Sequence, residues 1–304
     1  MSKIEIIEVG PRDGLQNQDA LLSTADKLSL IERLCAAGAR RIEAASFVNP
    51  IRVPQMADAE AVVAGLPNDG RVVFVGLVLN ERGVDRAIAS GIAEIGVVAV
   101  ASDTFGMRNQ KQTGTQSVEV SRAVLRAAKS AGRRAQATIA VAFGCPFEGE
   151  VPLARVVDMA KSIAEEGPHE IALADTVGVG VPAQVKAMIR ALRAEIPHIP
   201  LRFHFHNTRN TGLANAFAAV EAGVTRLDAS AGGIGGCPFA PAATGNIATE
   251  DLVYLLERSG YETGYDLEAL TRLAPWLAEK LGLEHLPAMV SRASRFPPMR
   301  SVLP

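Results

Sequence analysis

Short apolar runs rich in β-branched residues recur along the chain, and each run is followed by a segment with the period of an amphipathic helix. The runs start between residues 4 and 226, so successive starts lie about 32 residues apart, a spacing that suits a repeated strand and helix unit. This periodicity predicts eight strands, at 4–9, 41–45, 72–79, 95–101, 135–142, 170–174, 201–206 and 226–230.

The segments between these runs carry signals for helix ends. Eight strand and helix units without a break in composition favour one (β/α)8 TIM barrel, which typically takes about 250 residues. A doubly wound sheet would need a G-x-G-x-x-G turn after its first strand, and the sequence there, GPRDG, lacks it. Three helical segments end at a glycine that can take the left-handed C-cap: Gly38 after 24–37, Gly132 after 117–131 and Gly167 after 153–166.

The chain is longer than such a barrel needs, and the excess lies at its C-terminal end. We therefore expect one barrel domain over residues 1–264. A short C-terminal extension at 265–304 should follow, made of one helix at 266–281 and a proline-rich extended tail.

Composition agrees with a large buried core and excludes several classes of protein. The chain has 48% hydrophobic and 21% charged residues, and its formal net charge of −2 provides no bulk attraction to nucleic acid or membranes. The uncharged stretch at 229–249 contains five glycines and two prolines, so we expect a mobile loop rather than a membrane span. Three cysteines do not make a disulfide framework, and the N-terminus has no signal-peptide pattern, so we expect a cytoplasmic protein.

In a barrel of this kind the chemistry collects where strands end and the following loops begin. His204 and His206 stand two residues apart in the seventh predicted strand, so both imidazoles point to the same side. Two neutral imidazoles and a carboxylate form a divalent-metal site that keeps positions open for substrate oxygens or water. The other polar candidates in or just after strands are Arg12, Asp13, Glu43 and Asp175.

Charged residues are also expected inside the barrel. Arg202 shares a face with the two histidines, and Arg41 shares a face with Glu43. A buried charge without a partner is strongly unfavourable, so these side chains must be paired. The sequence therefore predicts a polar network within the barrel.

The three cysteines differ in their surroundings. Cys237 lies between Gly-Gly and Pro on the predicted loop after the eighth strand, near expected cations. Such an environment favours a thiol that acts as a proton donor or nucleophile. Cys35 lies on a helix face and is interpreted as a packing residue, whereas Cys145 stays open between the two interpretations.

Seven ordered motifs between about residues 4 and 264 resemble those of 3-hydroxy-3-methylglutaryl-CoA (HMG-CoA) lyases. The motifs are EVGPRDGLQ at 8–16, SFV at 46–48, GCPFEG at 144–149, DTVGVG at 175–180, HFH at 204–206, GGCPF at 235–239 and TGNIATEDL at 244–252. The resemblance implies a metal-dependent barrel lyase that cleaves HMG-CoA, an acyl-CoA thioester, to acetyl-CoA and acetoacetate.

The resemblance also implies roles for individual residues. Arg12 would stabilise the developing enolate oxygen, Cys237 would protonate the enolate carbon, and Glu43 or Asp175 would orient these groups or relay the hydroxyl proton. Which of the two carboxylates is the base stays open. The implied ligands of a Mg²⁺ or Mn²⁺ ion are Asp13, His204, His206 and Asn246, the last of which the strand-end argument does not find.

The implied partner is an acyl-CoA substrate, and the family suggests a homodimer. The segment 102–109 keeps the phenylalanine and asparagine of the family, and with Lys111 it offers cations for the phosphates of coenzyme A. A solvated loop is the alternative interpretation of this segment. The candidate binding residues are Phe105, Arg108, Asn109 and Lys111.

Some positions depart from the family pattern. Ala44 and Ala45 replace two threonines, Ala172 replaces a serine, and Asn-Thr-Arg-Asn at 207–210 replaces Asp-Thr-Tyr-Gly. We expect these changes to alter the pocket wall, so citramalyl-CoA or a longer-branched 3-hydroxyacyl-CoA stays open as the substrate. A Claisen-condensing acyltransferase is the alternative of another class, although such enzymes usually add a long C-terminal regulatory region.

Overall fold

The computed structural model describes residues 2–236 and 245–293. Within these ranges eight parallel strands close into a barrel in chain order, with the first strand paired to the eighth, and helices lie between the strands. The predicted (β/α)8 TIM barrel is confirmed. The strands are β1 (Glu5–Glu8), β2 (Arg41–Ser46), β3 (Val73–Val78), β4 (Glu94–Val100), β5 (Arg134–Ala140), β6 (Ile171–Asp175), β7 (Leu201–Phe205) and β8 (Arg226–Ala229).

The helices described follow the strands as expected for this fold. They are α1 (Thr24–Ala36), α2 (Ala59–Ala64), α3 (Glu81–Ser90), α4 (Asp103–Asn109), α5 (Gly114–Ser130), α6 (Leu153–Ala164), α7 (Pro182–Glu195), α8 (Gly212–Glu221), α9 (Thr249–Arg258) and α10 (Leu267–Leu281). Short helical turns lie at Gly10–Gly14, Pro54–Met56 and Ala231–Gly233.

The helix ends agree with the signals in the sequence. Ser23 caps α1, because its side chain accepts a hydrogen bond from the backbone N–H of Asp26. This donor has no partner within the helix itself. The predicted glycines lie just beyond the ends of α1, α5 and α6 with positive φ, as a left-handed closure requires: Gly38 at 107°, Gly132 at 68° and Gly167 at 66°.

The segment 102–109 folds as a short helix rather than as a solvated loop. Ser102 precedes α4 and accepts a hydrogen bond from Phe105 N, and Phe105 is buried while Arg108 is exposed. The sequence signal for this helix is Ser102 as the N-cap, followed by Asp103 in the first turn. Helix α4 lies at the same end of the barrel as the strand ends that carry the candidate site.

Charged side chains fill the amino-terminal half of the barrel interior. Arg41 is 1% exposed and binds the carboxylates of Glu94 and Glu170, and its Nη2 lies 2.8 Å from Glu170 Oε1. Arg202 continues the chain of contacts, with its Nε 2.8 Å from Glu170 Oε1 and its Nη1 2.5 Å from Asp228 Oδ1. The predicted polar network is therefore present. It extends from the amino-terminal half of the barrel interior to Asp228, which contacts His204.

The C-terminal helix packs beside the barrel rather than away from it. Helix α10 lies against α1, where Lys280 Nζ is 2.7 Å from Asp26 Oδ1 and the guanidinium of Arg33 stacks on Trp276. Beyond α10, the backbone N–H of Ala288 donates to Gly232 O at 3.0 Å, just after β8. Among the described residues, we find no helix with the length and apolar character needed to cross a lipid bilayer.

Candidate active site at the carboxyl ends of the strands

A tight helical turn after β1 presents Arg12 and Asp13 to the barrel mouth. The carbonyl of Val9 accepts hydrogen bonds from the backbone N–H groups of Arg12 and Gly14, which closes the turn. Arg12 donates from Nη1 to Asp13 Oδ1 at 2.7 Å and from Nη2 to Glu43 Oε2 at 2.6 Å. The guanidinium is thereby fixed between two carboxylates from neighbouring strands, with its plane set by both contacts.

The two histidines of β7 and Asp13 come together at this end of the barrel. The rings of His204 and His206 are 5.2 Å apart between centroids. One ligand atom from each of Asp13, His204 and His206 lies within 4.8 Å of the other two, a spacing that a single cation can bridge. The structure thus gathers three of the four expected metal ligands into one cluster.

Asn246 completes the cluster from a different segment. A backbone bridge pairs Asn246 with His206, and Asn246 Nδ2 donates to Asp13 Oδ2 at 2.8 Å. Its Oδ1 is buried without a hydrogen-bond partner. An unpaired buried oxygen is costly, and an amide oxygen beside a carboxylate and two imidazoles suits a hard divalent ion. The donor set therefore fits a bound cation.

Electrostatics favours ligand-competent forms of two of these side chains. Burial alone would raise the pKa of Asp13, but the charges of Arg12, His204 and His206 lower it to about 2. Burial, together with the charge of His204, lowers the pKa of His206 to about 3. Asp13 is consequently ionised and His206 neutral at neutral pH, which are the forms that bind metal.

Asp228 is a site residue that the sequence argument missed. It lies in β8, is nearly fully buried, and its Oδ2 is 3.1 Å from His204 Nδ1. Burial lowers the pKa of His204, but the hydrogen bond to Asp228 and the charge of Asp13 outweigh this and raise it. The available signal was alternation, because Asp228 and Arg226 share one face of β8 and Arg226 binds the buried Glu170.

A single cavity at the barrel mouth contains these groups. It is lined by Arg12, Asp13, Glu43, His204, His206 and Asp228, together with Phe105 and Asn109 from α4. Two of the four expected coenzyme-binding residues therefore reach the cavity. Arg108 stacks instead on the ring of Phe147, 4.1 Å from its centroid, and Lys111 is an exposed residue with a φ of 60°.

Comparison with known proteins identifies the family. A family model described as HMGL-like matches residues 3–276 of this chain. The chain belongs to the HMGL-like family. Members depend on a divalent metal, in agreement with the cluster at Asp13, His204 and His206.

Three relatives show how close this relationship is. The (R)-citramalyl-CoA lyase of Chloroflexus aurantiacus is 45% identical, over 100% of this chain and 99% of its own. The hydroxymethylglutaryl-CoA lyase of Bacillus subtilis is 41% identical, over 92% of this chain and 94% of its own. The structure of an HMG-CoA lyase from Acinetobacter baumannii with coenzyme A and 3-methylmalate superposes with a TM-score of 0.92 at 39% identity, covering 97% and 96% of the two chains.

Asp175 is the last residue of β6 in this HMGL-like barrel, and its carboxylate is bonded to the loop that follows. Its carboxylate accepts hydrogen bonds from the backbone N–H groups of Val179 and Gly180, both at 2.9 Å. The adjacent Ala174 and Thr176 line the cavity, whereas Asp175 does not. In the described structure Asp175 therefore holds the loop after β6, and its assignment as a catalytic residue stays a prediction.

The structure describes two of the three cysteines of this family member. Cys237 lies outside the described residues, so its role stays a prediction; the segments that lead to it end at Gly236 and resume at Gly245. Cys145 is buried, and its Sγ lies 2.9 Å from Ser102 Oγ, the side chain that caps α4. Cys35 is half-buried on α1 and packs against the core, as interpreted from the sequence.

The positions that depart from the family pattern do not form the cavity wall. The cavity lining contains none of Ala44, Ala45, Ala172 or Arg209 within the described ranges, so the expectation that they alter the pocket wall is wrong for direct contact. Arg209 donates from Nη1 to the carbonyls of Val177 and Gly178, at 3.2 and 3.1 Å. It therefore braces the loop after β6.

Proposed function

We propose that this protein cleaves the bond between the second and third carbons of a 3-hydroxy-3-methylacyl-CoA whose third carbon also carries a carboxylate-bearing branch. The observation that carries the proposal is the cavity in which Arg12, Glu43 and the Asp13–His204–His206 cluster face one another. The hydroxyl group loses its proton, the carbon–carbon bond breaks, and the electron pair leaves as the enolate of acetyl-CoA. Protonation of that enolate carbon gives acetyl-CoA and a keto acid.

The proposed cofactor is Mg²⁺ or Mn²⁺. Asp13, His204, His206 and Asn246 would hold it, and their mixture of hard oxygen and imidazole donors accommodates both ions. When bound, the cation lowers the pKa of the substrate hydroxyl and fixes its orientation. His204 is aligned for this role because Asp228 holds its Nδ1.

Arg12 stabilises the negative charge that develops during cleavage. Its guanidinium is always charged and is already held by Asp13 and Glu43, so little reorganisation accompanies the reaction. Of the two carboxylates open as base, Glu43 lines the cavity, whereas Asp175 is bonded to backbone N–H groups outside it. We therefore assign relay of the hydroxyl proton to Glu43.

Cys237 donates the proton to the enolate carbon in this proposal. The segment 237–244 connects Gly236, which lines the cavity, with the ligand Asn246. Asn17 Nδ2 donates to the carbonyl of Gly236 at 3.0 Å, which fixes the entry of the segment beside the turn that bears Asp13. Because Cys237 follows Gly236 directly in the sequence, the place of Gly236 in the cavity lining supports the thiol as the proton donor.

The thioester enters past α4. Phe105 and Asn109 line the cavity, and Arg108 and Lys111 supply exposed positive charge on the same segment for the phosphates of coenzyme A. The similar HMG-CoA lyase structure with coenzyme A bound supports an acyl-CoA substrate for this chain as well.

Two acyl groups are candidates, and they differ by one methylene between the third carbon and the carboxylate. HMG-CoA, the substrate expected from the motifs, would give acetoacetate, whereas citramalyl-CoA would give pyruvate. The specific observation in favour of the second is the 45% identity to the (R)-citramalyl-CoA lyase over both full lengths. One methylene in a pocket changes kcat/KM by roughly 10- to 200-fold, enough to separate them.

The test is a substrate panel with the purified protein and Mn²⁺. We expect acetyl-CoA release from at least one of the two thioesters, with a kcat/KM at least about 10-fold above the other. A condensing acyltransferase would instead join acetyl-CoA to the keto acid and hydrolyse the thioester, so incubation of this protein with acetyl-CoA and acetoacetate or pyruvate should release no free coenzyme A. Release of neither keto acid would overturn the proposed function, and preferential condensation would reassign the protein to the acyltransferases.

A further inference from the structure

Glu8 is a buried carboxylate that the proposed reaction does not use. It is the last residue of β1 and is 0% exposed. Its Oε1 accepts hydrogen bonds from Gly10 N at 2.7 Å and from Ala231 N at 2.9 Å, and its Oε2 accepts from Thr249 Oγ1 at 2.6 Å. Three donors on one buried carboxyl group are a specific arrangement, because a buried polar group that loses its hydrogen bonds is strongly unfavourable.

The three donors belong to three different parts of the active site. Gly10 begins the turn that carries Arg12 and Asp13. Ala231 begins the outgoing segment after β8, and Thr249 is the first residue of α9, three positions after the ligand Asn246. One side chain thus connects the Arg12–Asp13 turn with both ends of the segment 231–249.

The backbone around Glu8 leaves little freedom for another arrangement. A Cβ at Gly10 would lie 2.7 Å from Glu8 Oε1, so glycine is needed there for the close approach. Ser230 and Ala248 form a parallel bridge, in which Ser230 N donates to Ile247 O and Thr249 N donates to Ser230 O. The two ends of the segment are therefore joined to each other, and Glu8 joins the pair to β1.

We propose that Glu8 is a positioning residue that sets the distance between the Arg12–Asp13 turn and the segment bearing Asn246. It touches no reacting atom and acts through these residues. Asp13 and Asn246 already meet through a 2.8 Å hydrogen bond, and both stand on backbone that Glu8 holds. Errors of about 1 Å at such a site are sufficient to lower a rate by about two orders of magnitude. The effect on turnover rests on the proposed function, whereas the effect on cation binding does not.

Two threonines, one at the start of α9 and one beyond its end, provide the test. Thr249→Val removes one of the three donors to Glu8 and keeps side-chain volume. Thr263→Val is the control, because Thr263 Oγ1 donates to Glu257 Oε1 at the same 2.6 Å at the other end of α9. Both variants lose a hydrogen bond to a glutamate, and Thr263→Val also loses the one that Tyr265 N donates to Thr263 Oγ1, so a purely structural role predicts comparable consequences.

We expect Thr249→Val to raise the Kd for Mn²⁺, measured by electron paramagnetic resonance titration, by about 10-fold and to lower kcat with little change in KM. Thr263→Val should leave the Kd and kcat at wild-type values. Glu8→Gln keeps an acceptor oxygen for Gly10 and Ala231, so its Kd for Mn²⁺ should lie between those of the wild type and Glu8→Ala.

Equal Mn²⁺ affinities of Thr249→Val and Thr263→Val would overturn the inference. If the wild-type protein shows no lyase activity, the proposed function fails while the Mn²⁺ measurement still decides the role of Glu8.

Discussion

Asp228 and His204 form a buried hydrogen bond in which Asp228 Oδ2 lies 3.1 Å from His204 Nδ1. The other ring nitrogen, Nε2, faces Asp13 Oδ2 at 3.9 Å. The carboxylate therefore fixes the ring so that Nδ1 carries the hydrogen and Nε2 is directed toward the cluster of ligands. Arg202 in turn binds the second oxygen of Asp228.

Replacing Asp228 tests this alignment. We expect Asp228→Asn to weaken Mn²⁺ binding by roughly 10- to 100-fold, because partners of metal-binding histidines have effects of that size. Isothermal titration calorimetry with Mn²⁺ gives the measurement. The control is Asp251→Asn, since Asp251 binds the backbone N–H groups of Met289 and Val290 outside the cavity. Equal affinities of the two variants would show that Asp228 does not set the geometry of His204.

The strand ends could be predicted from the sequence because they follow from period and spacing alone. His204 and His206 share a face of a strand, and the barrel brings that face to the mouth, so their meeting with Asp13 needed no further information. Asp228 was missed although it obeys the same rule, since its alternation with Arg226 in a short strand is a weaker signal than a pair of histidines.

The role of Glu8 could not be predicted in this way, because it depends on contacts between distant segments that no local sequence pattern indicates. Glu8 stands 223 residues from Ala231 and 241 from Thr249, and only the closed barrel brings them together. The Asp175 carboxylate likewise accepts hydrogen bonds from amides of the loop after β6, a contact that the motif alone does not reveal. Tertiary packing determines both the contacts of Glu8 and those of the Asp175 carboxylate.

Arg12 is expected to contribute to turnover more than to binding. Arg12→Gln should lower kcat by about 10²- to 10³-fold, the usual effect of losing a group that stabilises developing charge. Arg12→Lys should recover only part of this rate, since an ammonium cannot contact Asp13 and Glu43 as the planar guanidinium does. Steady-state kinetics on the better thioester of the panel measures both.

Arg71→Gln is the control for these two variants, because Arg71 donates from Nε and Nη2 to Asp69 Oδ2 in an exposed ion pair and does not line the cavity. Its kcat should match that of the wild type. A kcat for Arg12→Gln within a factor of two of this control would remove the guanidinium from the charge-stabilising role.

Cys237→Ser tests the proposed proton donor. A serine hydroxyl is a much weaker acid than a thiol, so we expect turnover to fall by orders of magnitude while Mn²⁺ affinity stays near the wild-type value. Cys35→Ser is the matched control, since Cys35 is half-buried on α1 far from the mouth. Single-turnover kinetics with mass detection of acetyl-CoA separates the chemical step from product release. An unchanged single-turnover rate for Cys237→Ser would exclude the thiol.

Glu250 predicts a pH dependence of stability that can be separated from the chemistry. Both of its carboxylate oxygens accept from Gly232 N, at 3.0 and 2.9 Å, and the residue is 0% exposed. Burial, together with the charges of Glu8 and Asp251, raises the pKa of Glu250 to about 8 despite the opposing backbone hydrogen bonds. The folded protein therefore keeps this proton at pH values where the unfolded chain has lost it.

The sign of the effect follows from this difference in bound protons. Below the unfolded-state pKa, near 4.5, both states are protonated and Glu250 brings no penalty. As the pH rises from there toward about 8, the unfolded state alone ionises, so the free energy of unfolding falls by about 1.4 kcal/mol per pH unit for one such group. Above the folded-state pKa the penalty is complete and changes no further.

Glu250→Gln removes this titration while keeping an oxygen for Gly232 N, and the new amide can donate to Ser291 Oγ, 3.4 Å from the present Oε1. We expect the variant and the wild type to unfold at similar urea concentrations at pH 5, and the variant to be the more stable at pH 8.5. Glu8, whose pKa burial raises to about 7, is present in both proteins, so its own slope largely cancels in the difference. The exposed Glu32→Gln should track the wild type at every pH. A stability difference that is the same at pH 5 and pH 8.5 would mean that Glu250 does not hold its proton in the folded state.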